Sequence, residues 1–247
     1  MSEDLLLYIV VGFVAQMIDG AIGMAYGVTS TSVLLNFGVP PATASACVHA
    51  AETFTTAASG ASHWRVGNVD FKLVRRLAIP GAIGGAIGAY VLSNVDGEAI
   101  RAYISAYLLL MGAYILWKAL MTSPELRDPP ESVAPLGFIG GFVDSIGGGG
   151  WGPIVTTTLI GRGTTPRYAI GSVSLSEFFV TLTISATFML TIGLELWPII
   201  TGLIIGGVIA APFAALLTKH MPARVLMGIV GCVIILLSIR TILKALG

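Results

Sequence analysis

Long apolar stretches separated by short polar ones run through the whole chain. Two of the apolar stretches, 5–35 and 135–160, are interrupted by glycine-rich sequence and predict broken helices, because each glycine costs roughly 1 kcal/mol relative to alanine inside a helix. The remaining apolar stretches predict unbroken helices, most of them long enough to cross a hydrocarbon layer of about 30 Å. The predicted unbroken helices cover about residues 41–64, 71–92, 98–120, 165–190, 196–217 and 223–246. The pattern therefore predicts an all-α polytopic membrane protein.

The polar positions repeat along the chain with an offset of 125 residues. At this offset Asp19 corresponds to Asp144, and Glu52 corresponds to Glu177. Fourteen of the 45 positions from 12 to 56 are identical to their counterparts, which is more than shared composition explains. Duplication with intramembrane carboxylates is typical of secondary transporters. The predicted units are a first transmembrane repeat over 1–121, a proline-rich charged linker over 122–134 and a second transmembrane repeat over 135–247.

Two topologies are compatible with the broken stretches, because each stretch either crosses the membrane or re-enters on its starting side. Re-entrant stretches leave three crossings per repeat and invert the second repeat relative to the first, with ten lysine and arginine residues inside and three outside. Crossing stretches make the repeats parallel and divide the same residues eight to five. The positive-inside rule favours two inverted repeats, each with a re-entrant glycine-rich segment and three transmembrane helices.

Composition agrees with the membrane interpretation and excludes several function classes. Hydrophobic residues make up 55% of the chain, charged residues 11%, and the mean hydropathy is +0.89. The net charge is zero without a basic cluster, which disfavours a nucleic-acid partner. Cys47 and Cys232 form no CxxC pair and indicate no metal site, so neither a metal nor a cofactor is predicted. The N-terminus lacks the positive region of a cleaved signal peptide, and the first apolar segment is expected in the mature protein.

The two breaks are the predicted solute-binding site, because amides freed from helical bonding attract anions. Neither lysine nor arginine lies within the apolar cores, so the site would offer dipoles and hydroxyls to a small anion. The alternative is structural: the aspartates cap the following half-helices, and the hydroxyls bond helix carbonyls. The candidate substrate-binding residues are Asp19, Gly23, Tyr26, Gly27, Thr31, Asp144, Gly148, Gly149, Trp151, Gly152 and Thr156.

A polar stripe marks one face of the helix predicted after the first break. Its residues recur at intervals of three and four, as expected for one helix face: Ser45, His49, Glu52, Thr56, Ser59 and His63. His49, three residues before Glu52, is a candidate to share a proton with it; a hydrogen-bonded packing role is the alternative. The residues predicted to couple protons to transport are His49, Glu52 and Glu177. Glycine pairs with GxxxG spacing, Gly81 to Gly88 and Gly202 with Gly206, predict close helix approach.

The duplicated Gly-Phe-x5-Asp-x3-Gly-x3-Gly pattern, from Gly12 to Gly27 and from Gly137 to Gly152, resembles the TauE/SafE sulfite exporter family. The resemblance covers essentially the whole chain and implies a multi-pass inner-membrane transporter of sulfur-containing anions such as sulfite or organosulfonates. The first copy departs from the richer glycine form, with Met24 and Ala25 where the second has Gly149 and Gly150. This difference argues against equal roles for the two halves.

Together these features predict a non-enzymatic secondary transporter that moves a small sulfur-containing anion by alternating access, with H+ as the candidate coupling ion. Its other partner is the lipid bilayer, and the sequence leaves homo-oligomerisation open. A passive anion channel is the main alternative. An intramembrane aspartyl hydrolase is disfavoured because the two aspartates occupy equivalent duplicated sites and no GxGD sequence surrounds either one.

Overall fold

The computed structural model describes residues 2–22, 24–65, 67–121, 132–194, 196–220 and 223–246, and within these segments it contains helices and no strands. The first half contains α1 (Ser2–Ile22), α2 (Tyr26–Asn36), α3 (Pro41–Arg65), α4 (Phe71–Ser93) and α5 (Gly97–Leu120). The second half contains α6 (Ala134–Gly147), a π-helical turn (Gly152–Thr156), α7 (Thr157–Gly161), α8 (Pro166–Thr191), α9 (Trp197–His220) and α10 (Ala223–Leu246). Most of the predicted linker, residues 122–131, lies outside the described residues.

The all-helical prediction is confirmed, and the six unbroken helices begin and end within three residues of their predicted bounds. Among the described residues, three segments are long and apolar enough to cross a membrane: Phe71–Ser93, Ala99–Leu120 and Tyr168–Thr191. Large apolar side chains also lie exposed on the outer helix faces, including Ile79, Leu110, Leu190 and Leu236. An apolar outer surface of this kind is suited to lipid, so the structure describes a membrane protein.

Both predicted breaks are present, and unusual backbone dihedral angles end the helices there. Gly148 ends α6 in the left-handed conformation with φ of 65°, and Gly149 follows with φ of 154°. In the first half, Ala25 precedes α2 with φ of 108°. Glycine adopts positive φ readily, whereas the Cβ of alanine makes this conformation strained. The second break is therefore conformationally relaxed, and the first contains a strained residue.

Glycines allow helices from opposite halves to pack backbone against backbone. Helix α1 lies on α9, and its counterpart α6 lies on α4, the counterpart of α9. A Cβ added to Gly12 would lie 2.5 Å from the Leu203 carbonyl oxygen, and one added to Gly141 would lie 3.0 Å from the Gly81 Cα. Gly84, Gly88 and Gly206 also pack against backbone of the opposing helix. The predicted role in close helix approach is confirmed for Gly84, Gly88 and Gly206.

Contacts along α8 define the directions in which the long helices run. Thr53 Oγ1 lies 3.4 Å from Ser185 Oγ, whereas Gly60, about two helical turns later, packs against Leu175. Later residues of α3 thus contact earlier residues of α8, so the two helices are antiparallel. In contrast, α4 and α8 are parallel. The Asp70 amide before α4 donates to Ser172 Oγ at 2.9 Å, and Ser93 Oγ at the end of α4 lies 2.8 Å from Thr191 Oγ1.

The chain reverses direction at the second break. Gly140 of α6 packs against Val155 of the π-helical turn, and the Trp151 amide donates to Asp144 Oδ1 at 2.9 Å. These contacts pair earlier residues of α6 with later residues of the following segment, which is the pattern of an antiparallel hairpin.

The strain at Ala25 predicts an unusual response to glycine substitution. Ala89, fully buried in α4, is the matched control, and Ala89→Gly is expected to lower the free energy of unfolding by about 1 kcal/mol or more. Ala25→Gly is expected to be at least as stable as the wild type, because relief of the positive φ offsets the lost methyl group. Thermal melts of the purified variants in detergent measure this. Equal losses in both variants would contradict the assignment of strain to Ala25.

Candidate functional site

The two breaks meet at the centre of the molecule. A Cβ added to Gly27 would lie 2.7 Å from the Gly149 Cα, so the two backbones are in direct contact there. The Thr31 hydroxyl donates a hydrogen bond to the Gly148 carbonyl. Tyr26 and Trp151, at equivalent positions after the breaks, are almost fully buried. The structure therefore brings together most of the predicted solute-binding residues that it describes.

Each aspartate accepts a hydrogen bond from the backbone amide seven residues later, at the beginning of the segment after its break. The Tyr26 amide donates to Asp19 Oδ1 at 3.4 Å, and the Trp151 amide donates to Asp144 Oδ1 at 2.9 Å. A carboxylate in this position satisfies an amide that has no helical partner and interacts favourably with the helix dipole. The capping alternative considered from the sequence thus describes both aspartates, and these two amides are occupied by protein oxygens.

His49 connects α3 to the second break. Its Nε2 lies 3.1 Å from Asp144 Oδ2, and its Nδ1 lies 2.8 Å from the Ser45 carbonyl oxygen. The Ser45 hydroxyl donates to the Ser145 carbonyl at 2.6 Å. Both ring nitrogens of the fully buried imidazole are therefore engaged by Ser45 and Asp144. The sequence suggests Glu52 as a proton-sharing partner of His49; in the structure, the carboxyl group within hydrogen-bond distance of His49 is that of Asp144, 95 residues away.

Glu52 and Glu177 lie near the aspartates on the facing helices α3 and α8. Glu52 is 4% exposed, its Oε1 lies against Gly27, and its Oε2 has no hydrogen-bond partner among the described residues. Each glutamate is close enough to interact electrostatically with the other glutamate and with both aspartates. The site therefore concentrates four carboxyl groups around the meeting point of the breaks.

Buried hydroxyl groups also line the segments that follow the breaks. Within the described part of the chain, the hydroxyls of Thr29, Ser30, Ser32 and Thr156 are buried without a hydrogen-bond partner. Buried polar atoms are usually paired, so unpaired ones are expected where a solute or water is bound. By contrast, the Thr157 hydroxyl bonds the Pro153 carbonyl, as the structural alternative for these hydroxyls anticipated.

Two tyrosines of α5 form hydrogen bonds with the second break and the segment after it. Neither was among the residues predicted from the sequence. The Tyr107 hydroxyl donates to the Gly149 carbonyl at 2.8 Å, and the Tyr114 hydroxyl lies 2.9 Å from Thr157 Oγ1. The two residues are seven positions apart, which places them on one helix face. That spacing was visible in the sequence, but nothing local indicated which segment this face would contact.

Gly152 and Gly23 complete the set of predicted solute-binding residues. Gly152 begins the π-helical turn, a helical irregularity often found at functional sites. Gly23 lies outside the described residues. Within the described part of the chain, no group of three or more His, Cys, Asp or Glu side chains is arranged to hold a metal ion.

Comparison with known proteins identifies the family. The family profile described as "Sulfite exporter TauE/SafE" matches residues 8–241. "Probable membrane transporter protein YtnM" of Bacillus subtilis (strain 168) is 45% identical over 251 residues, covering 98% of this chain and 84% of that protein. "Probable membrane transporter protein YdhB" of the same organism is 24% identical over 230 residues, covering 90% of this chain and 93% of that protein. The chain therefore belongs to the sulfite exporter TauE/SafE family of membrane transporters.

Proposed function

We propose that this protein is a secondary transporter that moves small sulfur-containing anions, such as sulfite or an organosulfonate, across the inner membrane by alternating access. The observation that carries the proposal is the meeting of two equivalent broken segments, Gly27 against Gly149, deep in an apolar helical protein. Broken backbone at membrane depth is tolerated where it is enclosed by protein, and in transporters it forms the solute site. The family description supports an anion as the solute.

The packing directions support an inverted topology in which each broken segment is re-entrant and each half has three crossings. In the parallel alternative, the 66–70 loop and the start of α8 lie on opposite membrane surfaces, roughly 30 Å apart. The hydrogen bond from the Asp70 amide to Ser172 Oγ places these two regions together. The antiparallel direction of the equivalent helices α3 and α8 supports the same inverted arrangement.

The proposed solute site lies between the breaks, where the unpaired hydroxyls of α2 and Thr156 adjoin the half-helix amides. In the present conformation the site is closed, because Gly27 contacts Gly149 and the Thr31 hydroxyl bonds the Gly148 carbonyl. Opening to either side requires these contacts to separate. Since α1 is packed on α9 and α4 on α6 through glycine backbone, we propose that each moving unit contains helices from both halves.

The four carboxyl groups give a physical reason for proton coupling. Two unit charges roughly 8 Å apart repel by about 2 kcal/mol at an effective dielectric constant of about 20. An anion entering between ionised Asp19, Asp144, Glu52 and Glu177 would meet several such repulsions. Proton binding to these groups removes the repulsion, so the anion and protons are expected to bind cooperatively. Glu52, Glu177 and His49 are the proposed coupling residues.

Side-specific labelling tests the inverted topology. Arg162→Cys, Lys72→Cys and Asn94→Cys are introduced one at a time into a background with Cys47→Ala and Cys232→Ala. The new cysteines at positions 162 and 72 are expected on one side of the membrane, and the one at position 94 is expected on the other. A membrane-impermeant maleimide applied to intact cells should therefore label the Asn94 variant and leave the Lys72 and Arg162 variants unlabelled. Labelling of the Arg162 and Asn94 variants together would support the parallel topology instead.

Ligand-induced stabilisation tests the solute class. Sulfite, thiosulfate, a sulfonate, sulfate and acetate are compared by thermal shift, and at least one sulfur-containing anion is expected to raise the melting temperature. Thr156→Val is expected to reduce that shift, because it removes an unpaired hydroxyl of the proposed site, whereas Thr183→Val on α8 removes a hydroxyl that is bonded within its own helix. Equal shifts in both variants would place binding elsewhere. Saturable counterflow in liposomes then separates a transporter from a passive channel.

The pH dependence of flux tests the role of Glu52. Glu52→Gln keeps the shape of the side chain but cannot release a proton, so the pH dependence of anion flux in liposomes is expected to become weaker. Asp70→Asn is the control, since Asp70 caps α4 at the Lys72 amide and lies away from the breaks. Unchanged pH dependence in Glu52→Gln would reject the proposed coupling role of this residue.

A further inference from the structure

The hydrogen bonds of His49 determine which ring nitrogen carries a hydrogen. Its Nδ1 lies 2.8 Å from the Ser45 carbonyl oxygen and 3.2 Å from Ser45 Oγ. A carbonyl oxygen only accepts, and the Ser45 hydroxyl hydrogen is already donated to the Ser145 carbonyl at 2.6 Å. Both neighbours of Nδ1 are therefore acceptors. It follows that Nδ1 is protonated and donates.

The contact between His49 and Asp144 then needs one further proton. With Nδ1 protonated, a neutral imidazole has only a lone pair at Nε2, which lies 3.1 Å from Asp144 Oδ2. Two lone pairs cannot form this hydrogen bond. Either Nε2 is protonated and donates to the carboxylate, or the carboxyl group is protonated and donates to Nε2. Both forms hold one proton more than a neutral imidazole beside an ionised carboxylate.

We propose that His49 Nε2 and Asp144 Oδ2 form a binding site for one proton, and that the bound proton stabilises the contact between α3 and the second break. Its role in transport rests on the proposed function above; the site itself does not. Loss of the proton would place two lone pairs against each other. If the remaining hydrogen instead moved to Nε2, the Nδ1 lone pair would lie against the oxygen of the Ser45 carbonyl, which is also an acceptor. Either way, one of the contacts of His49 is lost.

The lost contact would affect the second break, because Asp144 joins three parts of the structure. Its Oδ2 bonds His49 on α3, its Oδ1 accepts the Trp151 amide, and Asp144 itself lies in the last turn of α6. Release of Asp144 from His49 removes a contact between α3 and the second break and leaves the hydrogen bond from the Ser45 hydroxyl to the Ser145 carbonyl. The bound proton therefore stabilises the closed arrangement of the two breaks.

Neighbouring titratable groups reinforce proton binding at this site. Glu52 of α3, Glu177 of α8 and Tyr107 of α5 lie in electrostatic range of Asp144. Asp19 of α1 interacts with both glutamates. Any of these carboxyl groups that is ionised favours the protonated form of the pair. His49 is fully buried and Asp144 is 2% exposed, so water does not replace the interaction.

The proton site exists in one half only. At the 125-residue offset, Ser174 occupies the position of His49, so Asp19 has no equivalent imidazole partner. Asp19 accepts the Tyr26 amide as Asp144 accepts the Trp151 amide. It therefore provides a matched control that shares the capping role and lacks the histidine.

Nitrogen-15 NMR of histidine-labelled full-length protein in nanodiscs tests the site without any transport. His49 is assigned by elimination with His63→Gln and His220→Gln, since the chain contains three histidines. Near neutral pH, Nδ1 of His49 is expected to be protonated, and Nε2 is expected to give the signal of a proton-sharing nitrogen. In Asp144→Asn, Nε2 is expected to become an unprotonated nitrogen, because the asparagine amide donates to it; Asp19→Asn should give the wild-type His49 signals. A wild-type His49 with its hydrogen on Nε2 and none on Nδ1 overturns the proposal, even if no variant folds. An unchanged Nε2 signal in Asp144→Asn overturns it as well.

Anion flux in liposomes tests the coupling separately. Asp144→Asn is expected to lose the wild-type pH midpoint of flux, and Asp70→Asn, which alters the cap of α4 away from the breaks, is expected to keep it. If both variants keep the midpoint, the proton does not control transport. If no anion is transported by the wild type, the proposed function fails while the NMR result still decides the proton site.

Discussion

The structure depends on one constraint, which is that a helix interrupted inside a membrane must satisfy its freed backbone groups with protein. Asp19 and Asp144 do this at equivalent points, each accepting the amide that begins the following segment. Thr31 and Tyr107 occupy carbonyl groups of the second break. In hydrocarbon each unsatisfied group would cost several kcal/mol. The polar residues that initially suggested solute chemistry therefore also make the breaks physically tolerable.

These two roles are compatible because a capping hydrogen bond is exchangeable. In the proposed mechanism, an anion that approaches a half-helix would compete for the same amides that the aspartates now occupy, and it would interact with the same end of the helix dipole. The hydroxyls of Thr29, Ser30, Ser32 and Thr156, together with Glu52 Oε2, are described polar groups near the breaks without a hydrogen-bond partner.

The two halves share a plan and differ in chemistry. His49 serves the second break, whereas the corresponding position opposite the first break is Ser174. Ala25 is held at positive φ, where the second half has Gly150. A duplicated protein with equal halves would offer the same barrier to a solute from either side. These differences place a histidine–aspartate contact at one break and a strained backbone residue at the other.

Local properties of the sequence determined the helices, their ends and the two breaks, because apolar length and glycine content act on neighbouring residues. The offset of 125 residues also identified the equivalent carboxylates before any contact was known. The division into repeats at 122–134 stays a prediction from that pattern. Only the tertiary structure decided that His49 meets Asp144, that Tyr107 holds Gly149, and that α3 runs antiparallel to α8. Each of these depends on which helix faces pack together. Residue spacing along one helix indicates a packing face but does not identify the helix that packs on it.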